Sequence, residues 1–147
     1  MKIIHISFNK TKIFENVSLA SAYTGAKAET QQNIFDRVAT ISEDNELLEG
    51  FFIEMTGIVT DRLKEFVIST EKSDAEFNMT LEVSNAYDDS LSASIKEDLF
   101  AAVVKGVIAR WFRVTFPEKT GEWWNDSETL LSRAFAKLCM RRKPKRQ

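Results

Sequence analysis

The chain holds 147 residues, 44% of them hydrophobic and 29% charged, a size and balance that suit one soluble domain with a sizeable core. No apolar run approaches the ~20 residues that cross a bilayer, and the single cysteine, Cys139, excludes an internal disulfide and fits a reducing compartment. The formal net charge of -2 conceals an asymmetry: five of the 20 basic residues stand in the last seven positions, so the first 140 residues carry 15 basic against 22 acidic groups, a net of -7.

The opening Met1-Lys2-Ile3-Ile4-His5-Ile6 has too short an apolar core for a signal peptide. Residues 3–8 alternate, with Ile4, Ile6 and Phe8 on one face and His5 and Ser7 on the other, which predicts a short strand or extended arm. Residues 13–27 read two ways, as a loop or as a helical turn opened by Ser18–Tyr23 and ended by Gly25. Ile34, Phe35, Val38 and Ile41 at helical spacing predict a short helix over 33–41.

Ser42 offers an N-cap, with Glu43, Asp44 and Glu46 in the first turn, where the helix dipole favours negative charge. Leu47, Leu48, Phe51, Phe52, Met55, Ile58, Val59, Leu63, Phe66 and Val67 recur every three or four residues and predict one helix through about residue 69. Such a helix of ~27 residues would be ~40 Å long.

Phe77, Met79, Leu81 and Val83 alternate with Glu76, Asn78, Thr80 and Glu82, the clearest strand in the chain. A polar turn over Asn85–Ser90 leads into a second long helix, to about Thr115. One stripe of it is Leu91, Ile95, Leu99, Ala102, Val103 and Val107; an adjoining one is Phe100, Val104, Ile108, Trp111 and Phe112. A helix apolar over so much of its circumference is central or shared with a neighbouring subunit. Pro117 ends it. A last helix lies between Glu118 and Arg142, or begins later with Asp126 or Ser127 as its cap.

The expected architecture is therefore mainly α: two long antiparallel helices and a shorter C-terminal helix, with one or two lone strands that pair within or between subunits. Residues 1–140 form a single helical domain with an extended N-terminal arm, and 141–147 a basic tail. A lone strand is not stable by itself. Phe77, Met79 and Leu81 on residues 76–83 thus need a partner strand, either residues 3–8 or a strand of another copy.

The chemical motifs are few. One His and one Cys are too few for a usual zinc site within one chain. Cys139 falls at an apolar position of the last helix, which predicts packing rather than nucleophilic chemistry. Asp61 and Glu65, four apart on the predicted helix, suit a solvated face better than a magnesium site. No phosphate-binding glycine loop and no nucleophile elbow occur. No catalytic, cofactor or metal residue is therefore expected.

What remains is interaction chemistry. Trp123 and Trp124 point ~100° apart on a helix, so one packs inside and the other meets a second surface. Arg141, Arg142, Lys143, Lys145 and Arg146 form a cationic end suited to an anionic partner, protein or nucleic acid. No aromatic residue stands among them to stack on bases.

Three stretches carry a family resemblance: Ser21-Ala22-Tyr23-Thr24-Gly25-Ala26-Lys27; Asp36-Arg37-Val38-Ala39-Thr40 leading through Glu43-Asp44 to Leu47-Leu48; and Arg110-Trp111-Phe112 followed by a helix and Arg141-Arg142-Lys143-Pro144. In these the whole chain resembles the small head–tail connector proteins, neck rings or adaptors, of Bacteroidetes (crAss-like) phages and prophages. The resemblance implies a non-enzymatic virion protein assembled in the host cytoplasm. It implies a ring of about twelve copies contacting the portal and other neck or tail proteins, near DNA, with no membrane and no small-molecule substrate. No residue roles carry over, because these patterns hold no fixed chemical motif. Trp123-Trp124 with Gly121 departs from the pattern at the start of the last helix. The alternative is a small nucleic-acid-binding accessory protein acting through the basic tail.

Overall fold

The structure is a computed structural model whose described residues are 1–27, 39, 40 and 42–144. It is mainly helical, with a small antiparallel sheet on one side of the helices. In chain order the elements are β1 (Lys2–Asn9), α1 (Lys10–Lys27), α2 (Asn45–Arg62), β2 (Val67–Lys72), β3 (Glu76–Val83), α3 (Ser92–Thr115) and α4 (Thr120–Cys139). The predicted helix over 33–41 lies outside the described residues, apart from Ala39 and Thr40.

The stretch left open between loop and helix is α1. Asn9 caps it: its Oδ1 accepts the Lys12 N–H at 3.1 Å. The buried column of α1 runs Ile13, Val17, Ser21, Gly25, every fourth residue. Half of that column is small or polar, and the Ser21 hydroxyl works as a structural group, accepting the Thr40 N–H at 3.2 Å.

The first long helix is shorter than its apolar stripe suggested. A 3-10 turn over Ser42–Asp44 precedes α2, and α2 ends at Arg62. The Leu63 N–H bonds Val59 O at 3.0 Å, and Phe66 N–H then returns to Leu63 O at 2.8 Å. The chain reverses there into β2. Val67, Ile68 and Thr70 are β-branched, which favours the extended chain over a further helical turn.

The sheet order is β1-β3-β2, every neighbour antiparallel. The partner that β3 needed is thus supplied twice within the chain, by residues 2–9 on one side and by the unforeseen β2 on the other. Ile4, Ile6 and Phe8 share one face with Phe77, Met79, Leu81 and Val83, all buried against the helices. Phe8 stacks on Phe77 with ring centroids 6.3 Å apart. Removing such side chains from water supplies roughly 1.5–3 kcal/mol apiece, which holds the sheet to the bundle.

Helix α3 is central. It packs most extensively on α4 and also on α2 and α1, so the dominant helix pair is α3 with the C-terminal helix rather than with α2. The break comes at Phe116, at φ -152° and ψ 69°, outside the α region that a following proline disfavours. A 3-10 turn over Pro117–Lys119 then opens α4 at Thr120, the earlier of the two predicted starts. Ser127, the other candidate cap, is instead inside the helix and fully buried. Its hydroxyl donates to Ala102 O on α3 at 2.7 Å.

Glycine matters at one close approach. A Cβ on Gly106 of α3 would run into the thioether of Met55 of α2, so a larger residue here forces that side chain to move.

Candidate interaction surfaces

The three residues expected to offer a strand face to a partner do not offer it. Phe77, Met79 and Leu81 are 3%, 1% and 0% exposed, because β3 is the middle strand and its apolar face covers this chain's own helices. They are core residues, a correction of the sequence expectation.

Trp123 and Trp124 are both half-buried against the core and rest on different neighbours, so neither is packed inside as the sequence predicted. Trp123 meets Phe112 edge-on at 5.9 Å, with the Lys105 ammonium 5.8 Å from its ring centre. Trp124 lies under the Arg110 guanidinium at 5.5 Å. Arg110 also pairs with Glu54 at 3.0 Å, so one side chain of α3 joins α2 to α4. Trp111 is buried.

The tail begins attached. Arg141 forms a β-bridge with Tyr87, and the Arg142 N–H bonds Ala86 O at 2.8 Å. Tyr87 is itself buried, and Lys2 Nζ donates to its carbonyl at 3.2 Å while pairing with Asp89 at 2.8 Å. The tail is thereby rooted beside the β1 end of the sheet. Arg141, Arg142 and Lys143 are exposed, and among the described residues none of them pairs with a carboxylate. Lys145 and Arg146 lie outside the described residues.

Other candidates change character. Cys139 is exposed at the end of α4, not packed as expected. Glu65 lies in the turn after α2, so Asp61 and Glu65 do not share a helical face. Among the described residues no group of three or more His, Cys, Asp or Glu side chains is placed to hold a metal ion. Among the same residues no helix is long and apolar enough to cross a membrane.

The feature that sequence reasoning did not assign is a groove of about 730 Å³ between α1, α3 and the start of α4. Leu19, Ala20 and Tyr23 form one wall, Phe100, Val104 and Ile108 the other, and Trp123 an end. Its rim is greasy as well: Leu19 is 74% exposed and Tyr23 63%. The second stripe of α3 was the available signal, since Phe100, Val104 and Ile108 belong to it.

Comparison of the chain with protein-family models, with curated proteins and with solved structures finds no match.

Proposed function

We propose that this chain is a structural subunit of a virion, a head–tail adaptor that acts as one copy in a ring between portal and tail and carries out no catalysis. The observation that carries the reading is the groove. Leu19 and Tyr23 stand in water on its rim, and its walls are apolar side chains from two helices. Concave apolar surface of this kind is the usual receptor for an amphipathic segment of another chain. A ring contact is heterologous, so a groove on one copy is filled by a different patch of the next. The rooted basic tail supports the same reading. Repeated around a ring of about twelve copies, it makes a cationic collar for a portal protein, a tail protein or DNA.

The test is assembly. Electron microscopy and native mass spectrometry of the purified chain, alone and with the portal and neck proteins of the same virion, should give rings or joint complexes. Leu19→Glu should abolish them while leaving the circular dichroism spectrum unchanged. A chain that joins no such complex at any concentration overturns the reading.

Arg141, Arg142 and Lys143, exposed and with no carboxylate partner among the described residues, favour a second reading, a nucleic-acid-binding accessory protein. Five phosphate contacts give a salt slope of up to about 4.5, several hundred-fold between 50 and 200 mM salt. Deleting 141–147 should then abolish a salt-dependent DNA affinity and leave assembly intact.

A further inference from the structure

The two edges of the sheet differ in kind. The β2 edge carries a bulge between Val67 and Ser69, followed by Glu71 and Lys72, the devices that keep an edge from pairing. The β1 edge has none of them. It is eight residues long, pairs with β3 in unbroken register, and holds no charge and no proline from Ile3 to Asn9.

The direction of its backbone groups follows from one bond. Lys10 N–H donates to Ala75 O at 2.9 Å, continuing the β1–β3 register. Antiparallel pairs alternate between bonded and non-bonded, so Phe8, Ile6 and Ile4 also face β3. The N–H and C=O groups of Ile3, His5 and Ser7 and the N–H of Asn9 then point to the open side, while the Asn9 C=O, at the N-cap, opens α1. The other strand obeys the same alternation: Glu82 N–H bonds Phe66 O at 2.8 Å and Ser73 N–H bonds Glu76 O at 2.9 Å. Among the described residues no backbone bond reaches the open side of β1.

We infer that this edge is a docking site for the same strand of a second copy, the two β1 strands running antiparallel about a two-fold axis at Ile6. This register satisfies most of the edge. His5 faces the second copy's Ser7 in a pair bonded both ways, and the Asn9 N–H meets the second copy's Ile3 C=O, giving about six new hydrogen bonds. On the inner face Ile4 stands opposite the second copy's Phe8, and Ile6 opposite Ile6, so apolar meets apolar. A slip of one residue sets core-face residues against solvent-face ones and is excluded by the pleat. Shifting the axis to His5 keeps the faces but sets Lys2 against Phe8 and leaves Asn9 without a strand residue opposite. With the axis at Ile6, Lys2 approaches the second copy's Lys10, but each already has a carboxylate of its own chain, Asp89 at 2.8 Å and Glu49 at 2.7 Å. The strand's lack of charge selects its own copy over a charged partner. The contact is isologous and stops at two. It uses neither the groove nor the β2 edge, so it does not rest on the adaptor reading, and a ring needs a further contact elsewhere.

The experiment is sedimentation and light scattering of the full chain from about 1 to 100 µM, with amide exchange read at single residues. A dimer is expected, with His5, Ser7 and Asn9 amides at least tenfold slower to exchange in the dimer than in dilute monomer. His5→Pro removes an N–H that faces the open side and costs no backbone bond to β3, only the long contact of the His5 ring with Thr80 Oγ1 at 3.4 Å. It should shift the dissociation constant at least tenfold. Ser7→Lys, which puts a charge on the exposed face of the same edge, should weaken the dimer in the same direction should the proline variant unfold. A chain that stays monomeric to 100 µM overturns the inference. So does a monomer whose edge amides are already slow, or a dimer that both variants leave intact.

Discussion

The α3–α4 contact is secured by a charge cluster whose worth can be worked out and measured. Asp98 Oδ2 of α3 meets Lys137 Nζ of α4 at 2.6 Å, and the same ammonium donates to Ser94 Oγ. Arg133 stands 3.9 Å from the other carboxylate oxygen. The Asp98 and Lys137 side chains are 11% and 17% exposed, so the pair lies nearer the buried limit than the surface one. Removing one member of a buried pair costs roughly 3–5 kcal/mol, and of a surface pair about 0–1. Asp98→Ala, which leaves Lys137 and Arg133 with no anion, should therefore cost about 2–3 kcal/mol. Lys137→Ala should cost less, about 1–2 kcal/mol, because Arg133 is 55% exposed and free to swing onto Asp98. An unfolding entropy of about 0.3 kcal/mol per kelvin for 147 residues converts each kcal/mol into about 3 °C. The Tm should drop by about 6–10 °C for Asp98→Ala and about 3–6 °C for Lys137→Ala. The double variant should sit close to Asp98→Ala alone, a coupling of about 1–2 kcal/mol in a double-mutant cycle. Urea unfolding at neutral pH reads all of these. Strictly additive losses, or single losses under about 0.5 kcal/mol, would refute the reasoning. Adding Arg133→Ala should erase the difference between the two single variants.

Three further outcomes are expected. Gly106→Val drives a side chain into Met55 and should cost about 2 kcal/mol or more, a loss that shrinks in a Met55→Ala background; thermal unfolding of the four variants checks it. Ser127→Ala removes the hydroxyl bonded to Ala102 O and should cost about 1 kcal/mol by urea titration, with the helical spectrum unchanged. Asp88 accepts from the Ser90 hydroxyl and then from its N–H, and these bonds hold its carboxyl below the ordinary 3.8. A lowered folded value means its stabilisation is complete above pH 3.8 and is lost as pH falls through the lower folded value. Asp88→Asn should flatten the acid limb of the stability curve there, and an unchanged limb would show that the cap is energetically silent.

The elements legible in the sequence are those with a long, unmixed period. β3 alternates without exception, and α3 repeats its apolar positions over 24 residues before Pro117 stops it. α1 was obscure because Ser21 and Gly25 occupy half of its buried column, where periodicity looks for large apolar groups. β2 was hidden in the opposite way. Phe66 and Val67 continue the spacing of α2, so the apolar pattern runs smoothly across the point where the backbone reverses. The competing signals were local and chemical: three β-branched residues at 67, 68 and 70, then Ser73-Asp74, a turn pair whose serine hydroxyl accepts the Glu76 N–H at 3.0 Å.

That one omission also displaced the candidate surface. Alternation tells which face of a strand is buried, but not where the strand stands in its sheet. With two strands in view, β3 needed a partner, and its apolar face read as the place where another chain would join. The third strand reverses the inference. Once β2 covers the far side, β3 becomes the most enclosed strand in the fold, and the open edge passes to β1. A central strand is selected for apolar volume, which is why β3 has the clearest pattern. An edge is selected for what it does to other strands, and that selection shows in charge, bulges and proline. On β1 the informative positions are therefore Ile3, His5, Ser7 and Asn9, the side that an apolar-periodicity reading passes over.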